Sequence, residues 1–175
     1  MANPTMTLIA SQTLSTSASS ITFSSIPQTY FDLRIFSSVR ETGTAQQDSM
    51  FLTLNSDGGS NYSSTNMNSA AGGATVTSTH QTNATFVNLI NASQGTGYTA
   101  NGFAICETYI GNYTSTSAKG IFTFATTFNN AYPNNGGLIA SVYRNSSGIT
   151  TINLAPGASS FATYSSFYLY GIKNS

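Results

Sequence analysis

The stretch Tyr30-Phe31-Asp32-Leu33-Arg34-Ile35-Phe36-Ser37 changes side-chain character with a period of two residues. In an extended chain Phe31, Leu33 and Ile35 share one face, and the residues between them share the other face, where polar and aromatic side chains mix. Stripes with the 3.6-residue period of an amphipathic helix do not recur elsewhere in the sequence. The stretch therefore predicts a β-strand.

Nine further segments show a similar pattern and are rich in aromatic or β-branched residues. They are 7–14, 20–25, 50–55, 86–91, 102–110, 120–128, 137–144, 149–154 and 166–173. Residues typical of turns separate them at 56–59, 94–97, 132–137, 146–148 and 155–157. Short strands with frequent turns indicate an all-β fold, an antiparallel β-sandwich of eight to ten strands with the jelly roll favoured.

The chain has the length of one domain, 175 residues. We expect a polar N-terminal arm over 1–19 and a single β-sandwich domain over 20–175. The segment 61–83 carries few large apolar residues. It is expected to be an extended surface loop, or a polar edge strand around 75–79.

Charge is scarce, with five Lys+Arg, five Asp+Glu and 6% charged residues, against about 25% in an average soluble chain. Nucleic-acid binding needs clustered basic residues, so this class of protein is excluded, as is binding to anionic membrane surfaces. The longest unbroken apolar runs, 103–106 and 167–170, are too short for membrane insertion. Cys106 lies in one of them and is predicted to be a packed core thiol.

Catalytic chemistry has few candidates. His80 is the single histidine and lies in a polar run, which favours a surface position over a general base. Paired carboxylates for glycoside hydrolysis would have to come from only five acidic residues. The turn 55–61 spaces side-chain oxygens loosely like a calcium loop, but Asp57 is its only carboxylate, so a structural turn is favoured. We expect no enzymatic activity, no catalytic residue, no metal and no cofactor.

Tyrosines accompany asparagines in segments rich in turn-forming residues. Aromatic faces combined with amide hydrogen bonds are typical of sugar-binding sites. The residues predicted to contact a glycan or a protein partner are Tyr98, Tyr113 and Tyr132. The same residue types also form ordinary turns.

Three segments, 21–33, 52–63 and 165–173, resemble the small β-sandwich virion structural proteins of tailed bacteriophages. The residues that carry the resemblance are Pro27, Tyr30, Asp32, Asn55, Asp57, Gly58, Asn61, Tyr62, Leu169, Tyr170 and Gly171. The middle of the chain, 64–164, matches the family poorly. The resemblance implies a component of the virion, assembled in the host cytoplasm.

Two roles follow from the resemblance. The first is a capsid decoration, or cement, protein, expected to be a homotrimer that binds the major capsid protein or other virion proteins at subunit junctions. The second is a tail or head fibre module that recognises a host surface glycan. Size favours decoration, because a fibre tip usually needs a shaft or anchoring segment beyond its binding domain.

Overall fold

The computed structural model describes residues 5–69, 75–130 and 132–173, and the regular structure in these ranges is β-strand. Twelve strands lie within them. They are β1 (Met6–Thr13), β2 (Ile21–Phe23), β3 (Asp32–Val39), β4 (Gln47–Leu54), β5 (Tyr62–Ser69), β6 (Val76–Ala84), β7 (Val87–Gln94), β8 (Ala104–Ile110), β9 (Lys119–Asn129), β10 (Tyr132–Tyr143), β11 (Ile152–Pro156) and β12 (Ser166–Ile172).

The strands form two sheets. The large sheet has eight strands in the order β1-β12-β3-β8-β9-β10-β5-β6, and the small sheet has four in the order β2-β11-β4-β7. Adjacent strands in both sheets are antiparallel. The antiparallel β-sandwich predicted from the sequence is confirmed, with twelve strands in the described ranges instead of eight to ten.

The core lies between the sheets and follows the two-residue period. In β3 the buried apolar side chains are Leu33, Ile35 and Val39, and in β4 they are Met50, Leu52 and Leu54. Burying one such side chain contributes about 1.5–3 kcal/mol. These alternating strands therefore supply much of the energy that holds the two sheets together.

The sheets approach closely where β7 crosses β9 and β10. Gly137 on β10 lies opposite Ala125 on β9, and a Cβ on Gly137 would come within 2.8 Å of the Ile90 carbonyl oxygen. Only small side chains fit on the inner face here. The large side chains of β9, Phe122 and Phe124, accordingly point outward.

The hairpin of β5 and β6 corrects the prediction of a loop. The edge strand foreseen at 75–79 is present and longer, and residues 62–69 form a second strand beside it. These strands are mostly Ser, Thr and Asn. Because both faces of these strands carry polar residues, their alternation gives little hydrophobic signal. Backbone pairing of β5 with β10 and of β6 with β5 holds the hairpin in the sheet.

The segment 132–137, predicted as a turn, belongs to β10 instead. Tyr132 lies opposite Asn129, and after an irregularity Asn135 lies opposite Thr127 on β9. Gly136 donates its backbone N–H to the hydroxyl of Ser69 at 2.9 Å. Partners on both neighbouring strands outweigh the turn-forming tendency of the local sequence.

The sandwich also begins earlier than the boundary predicted at residue 20. Strand β1 pairs with β12 from Met6 opposite Ile172 to Thr13 opposite Ser166, and Leu14 is buried. Residues 6–13 are therefore an edge strand of the large sheet and not part of a separate arm. Pairing with β12 satisfies backbone groups that a free arm would leave to water.

Candidate binding face

The side of the large sheet that points away from the small sheet, here named the outer face, exposes large apolar side chains. Phe122 and Phe124 on β9 are 51% and 47% exposed, and Ile105 on β8 is 55% exposed. On β5, β6, β8, β9 and β10 the exposed apolar side chains of this face are Met67, Val76, Ile105, Phe122, Phe124, Leu138 and Val142, and Met6, Leu8 and Tyr168 lie on the same face at the edge formed by β1 and β12. A sheet face in contact with water normally carries polar side chains, so this composition is typical of a binding surface.

Strand pairing places several of these side chains next to one another. Phe124 lies opposite Leu138 on β10, and Leu138 lies opposite Met67 on β5. Directly opposed residues in antiparallel strands have Cβ atoms about 4.5–5.5 Å apart. The result is an apolar strip across three strands, and beside it opens a cavity of about 260 Å³ that Val76 also lines.

The charged groups on β3 and β8 have hydrogen-bond partners within the outer face. Arg34 on β3 forms an ion pair with Glu107 on β8, and its guanidinium carbon lies 5.2 Å from the centre of the Phe36 ring. Tyr109 donates its hydroxyl to Asp32 at 2.5 Å, and this bond raises the pKa of Tyr109 to about 12. The face therefore presents little unpaired charge to a partner.

Two neighbouring depressions on the outer face share residues of β10 and are together named the trough. One of about 420 Å³ is flanked by Tyr109 and Phe122, and the other, of about 350 Å³, is flanked by Thr65 and His80. Both are lined by Ala140 and Ser141 of β10. Aromatic rings thus lie at one end of the trough, and a hydroxyl and an imidazole lie at the other.

The opposite side of the molecule, the outward side of the small sheet, is mostly polar, apart from Phe51, whose ring packs against Phe86. Its outward positions include Thr22, Thr53, Asn88 and Asn153, each next to buried neighbours in its strand. Asn153 donates to the hydroxyl of Thr22 at 2.9 Å. This is the ordinary composition of a solvated sheet face.

At one end of the sandwich a single carboxylate collects hydrogen bonds, in a group named here the Asp57 cluster. Asp57 accepts from the Gly59 N–H at 2.8 Å, the Asn61 amide at 2.9 Å, the Tyr143 hydroxyl at 2.9 Å and the Asn145 amide at 3.2 Å. The Gly59 and Asn61 bonds contribute most to lowering the pKa of Asp57 to about 2. Its lone pairs face hydrogen-bond donors, which opposes the calcium alternative and favours the structural turn.

The neighbouring motif residues support the same turn. Asn55 has a φ of 53°, and its side chain donates to the Gly148 carbonyl and accepts from the Thr150 N–H. Tyr62 accepts the Leu54 N–H at 2.9 Å, and its ring stacks on Tyr143 with centroids 4.8 Å apart. Gly58 is exposed in the turn, with open space where a Cβ would stand.

Apart from Pro27, the remaining motif residues meet where β12 pairs with β3. The ring of Tyr30 covers Gly171 so closely that a Cβ there would lie 2.3 Å from it. Leu169 is fully buried, whereas Tyr170 lies opposite Arg34 on the outer face. Asp32 also accepts the Asn112 N–H at 2.7 Å. The motif thus divides into two groups, each of which fixes a turn or a strand pair.

The structure corrects two of the three predicted contact tyrosines. Tyr98 is 5% exposed, and its hydroxyl donates to Gln47 at 2.8 Å and accepts from Asn135. Tyr113 is fully buried and donates to the carbonyl of Pro27. Neither ring can be reached by a ligand. The side chain of Tyr132 lies outside the described residues, so its predicted role stays a prediction.

The single histidine is exposed, and the single cysteine is deeply buried. His80 lies on β6 opposite Thr65 and is exposed. Cys106 is buried as predicted, and burial raises the pKa of its thiol to about 12. Among the residues that the structure describes, no group of three His, Cys, Asp or Glu could hold a metal ion. The expected absence of enzymatic activity stays a prediction.

Within 5–69, 75–130 and 132–173, no helix has the length and apolar character needed to span a bilayer.

The sequence prediction missed the outer-face residues. Their signal is present in β9, where Phe122 and Phe124 alternate with Ile121, Thr123 and Ala125. Alternation shows that the two sets lie on different faces, but it does not indicate which face is buried.

Comparisons with known proteins leave the family open. No protein-family model matches the chain, and the search of curated proteins found no match. Among solved structures, the chain is similar to the galectin LEC-6 of Caenorhabditis elegans at 14% identity, with a TM-score of 0.30. The similarity covers 85% of this chain and 94% of the galectin. At this level the similarity carries no argument about function.

Proposed function

We propose that this chain is a structural subunit of a bacteriophage particle, a decoration protein that binds to the capsid shell. The observation that carries the proposal is the outer face. It presents adjacent half-exposed apolar side chains with their charged neighbours already paired. Such a surface is more typical of a protein in a permanent assembly than of an isolated monomer in solution.

The motif residues are the reason for proposing a bacteriophage protein in particular. They resemble those of phage virion proteins, and in this fold they occupy the Asp57 cluster and the pairing of β12 with β3. Residues with such structural roles would be shared by proteins that have the same sandwich and differ in their binding surfaces. They support a fold shared with those proteins, and they do not indicate which partner the chain binds.

Copy number tests the proposal most directly. In purified particles of the phage that encodes the chain, quantitative mass spectrometry would compare it with the major capsid protein. We expect a ratio near one, or a simple fraction of it. A handful of copies per particle would contradict decoration and favour a fibre part, and absence from the particle would contradict both.

Salt dependence gives a second test of the same function. With few unpaired charges, binding to capsids that lack the protein should change little between low and high NaCl, because screening acts on ion pairs. Cosedimentation with capsids measures this. Release at moderate salt would contradict an interface built mainly from apolar contacts and neutral hydrogen bonds.

The trough supports a second candidate, a fibre module that recognises a glycan. Tyr109 and Phe122 could pack against a sugar ring, while Thr65 and His80 offer polar groups 
at the other end. A glycan array would test this with Phe122→Ala and the matched control Phe31→Ala, since Phe31 is similarly exposed, at 54%. Specific binding that only Phe122→Ala removes would support it, and a blank array would exclude the glycans tested.

A further inference from the structure

The exposed apolar area of the outer face is large enough for a protein–protein interface. The seven large apolar side chains on β5, β6, β8, β9 and β10 are each about half exposed. With half of roughly 150–250 Å² exposed by each of the two Phe side chains, and somewhat less by each of the five aliphatic ones, they present roughly 600 Å² together. This lies at the upper end for the largest apolar patch of a typical monomer, about 300–600 Å², and it matches the apolar share of an interface to which each partner contributes roughly 800 Å².

The same face carries both protrusions and a matching hollow. The ring of Phe122 stands out from β9, and the apolar cavity of about 260 Å³ is walled by Met67, Val76, Leu138 and the ring of Phe124. Two identical surfaces can pack on one another around a two-fold axis only if the surface is self-complementary. An aromatic ring of one copy seated in the cavity of the other would meet this requirement.

Charge does not oppose such a pairing. Arg34 and Glu107 neutralise each other within one chain. Asp32 keeps its negative charge, although Tyr109 donates to it, and it lies on β3, two strands away from β9. Two copies that meet over β9 and β10 would therefore bring few like charges together. The face also offers no excess charge that would select a strongly basic or acidic partner.

We propose that the outer face packs against the outer face of a second copy of this chain. Two sheets stacked face to face lie about 10 Å apart with their side chains interdigitated. Ile105, Phe122, Phe124 and Leu138 would become the core of that interface. The inference rests on the proposed structural role and gives the outer face one occupant, a second copy, so that the capsid would be contacted by other surfaces of the dimer. It differs from the homotrimer expected from the sequence.

Sedimentation equilibrium of the purified chain tests the stack. We expect a mass twice the 18.3 kDa of one chain. The double variant Phe122→Ser with Phe124→Ser should weaken the dimer by at least about 30-fold, as loss of central interface anchors does. Phe31→Ser serves as the matched control, because its ring is equally exposed but lies before β3, off the outer face. A monomer, a trimer, or a dimer that survives the double variant would overturn the proposal.

A charge exchange guards against a variant that simply misfolds. Leu138 faces both Phe124 and Met67, so Leu138→Glu and Leu138→Lys should each yield a folded monomer through repulsion between copies. Mixed in equal amounts, the two variants should recover the dimer mass. Folded variants that stay monomeric when mixed would contradict the face-to-face arrangement.

The result is separable from the proposed function. A monomer found at capsid copy number would remove the stack and leave decoration standing. A dimer found at a few copies per particle would keep the stack and remove decoration.

Discussion

The Asp57 cluster and the outer face differ in how far their side chains are satisfied by contacts within the chain. In the cluster, four donors converge on one carboxylate and two tyrosine rings stack beside it. On the outer face, large apolar side chains remain half exposed. The comparison teaches that Asp57 and its donors hold a turn of the fold, while the exposed apolar surface available for binding comes mainly from strands between residues 67 and 142.

The largest effect is expected from removing the carboxylate. Asp57→Ala would leave the Tyr143 hydroxyl and two amides without their shared acceptor. We expect a loss of about 2 kcal/mol in the free energy of unfolding, measured by urea denaturation, because hydrogen bonds to a charged group are among the stronger ones. The control is Asp48→Ala, whose carboxylate accepts the neighbouring Ser49 N–H. Equal losses in the two variants would contradict a special role for the cluster.

Acid should weaken the cluster in a defined range. The pKa of Asp57 is about 2 in the folded chain and about 3.9 for an unfolded aspartate. The unfolded chain binds more protons between these values, so the stabilisation is complete above about pH 4 and is lost as the pH falls to 2.

After allowance for solvent screening, this contribution is about 1 kcal/mol. It is measured as the difference between the pH profiles of unfolding for the natural chain and Asp57→Asn. Parallel profiles for the two proteins would contradict the assignment.

A smaller loss is expected when only one donor is removed. Tyr143→Phe keeps the ring stacked on Tyr62 and leaves Asp57 with its other three donors. The free energy of unfolding should fall by about 0.5–1 kcal/mol. Thermal and urea unfolding would both report this, and a loss as large as that of Asp57→Ala would show that Tyr143 acts through more than one hydrogen bond.

The smallest effect on stability is expected on the outer face. Phe122→Ser should change the free energy of unfolding of the separated chain by less than about 0.5 kcal/mol, because its ring is half exposed. Urea unfolding at concentrations low enough that further dilution has no effect would measure it. A loss of unfolding free energy comparable to that of Asp57→Ala would contradict the distinction between the cluster and the outer face. The ring of Phe122 would then stabilise the fold instead of serving a binding surface.

Part of the site was out of reach of sequence reasoning for identifiable reasons. Tyr98 and Tyr113 lie among turn-forming residues, which suggested exposure, yet backbone and amide groups distant in the sequence bind their hydroxyls inside the fold. The hairpin of β5 and β6 carries almost no hydrophobic pattern. Its pairing with β10 spans long sequence distances, and no local signal reports such pairing.

The sequence by itself determined the class of the fold, the buried Cys106 and the turn around Asp57. These follow from two-residue alternation, from an apolar run and from local backbone chemistry, all of which act over a few neighbouring residues. Only the tertiary structure decided which face of each strand is buried. Where β7 passes close to Gly137 and Ala125, the narrow space excludes large side chains and turns Phe122 and Phe124 toward solvent. That distance between two sheets, which no single strand encodes, determined which side chains the outer face exposes.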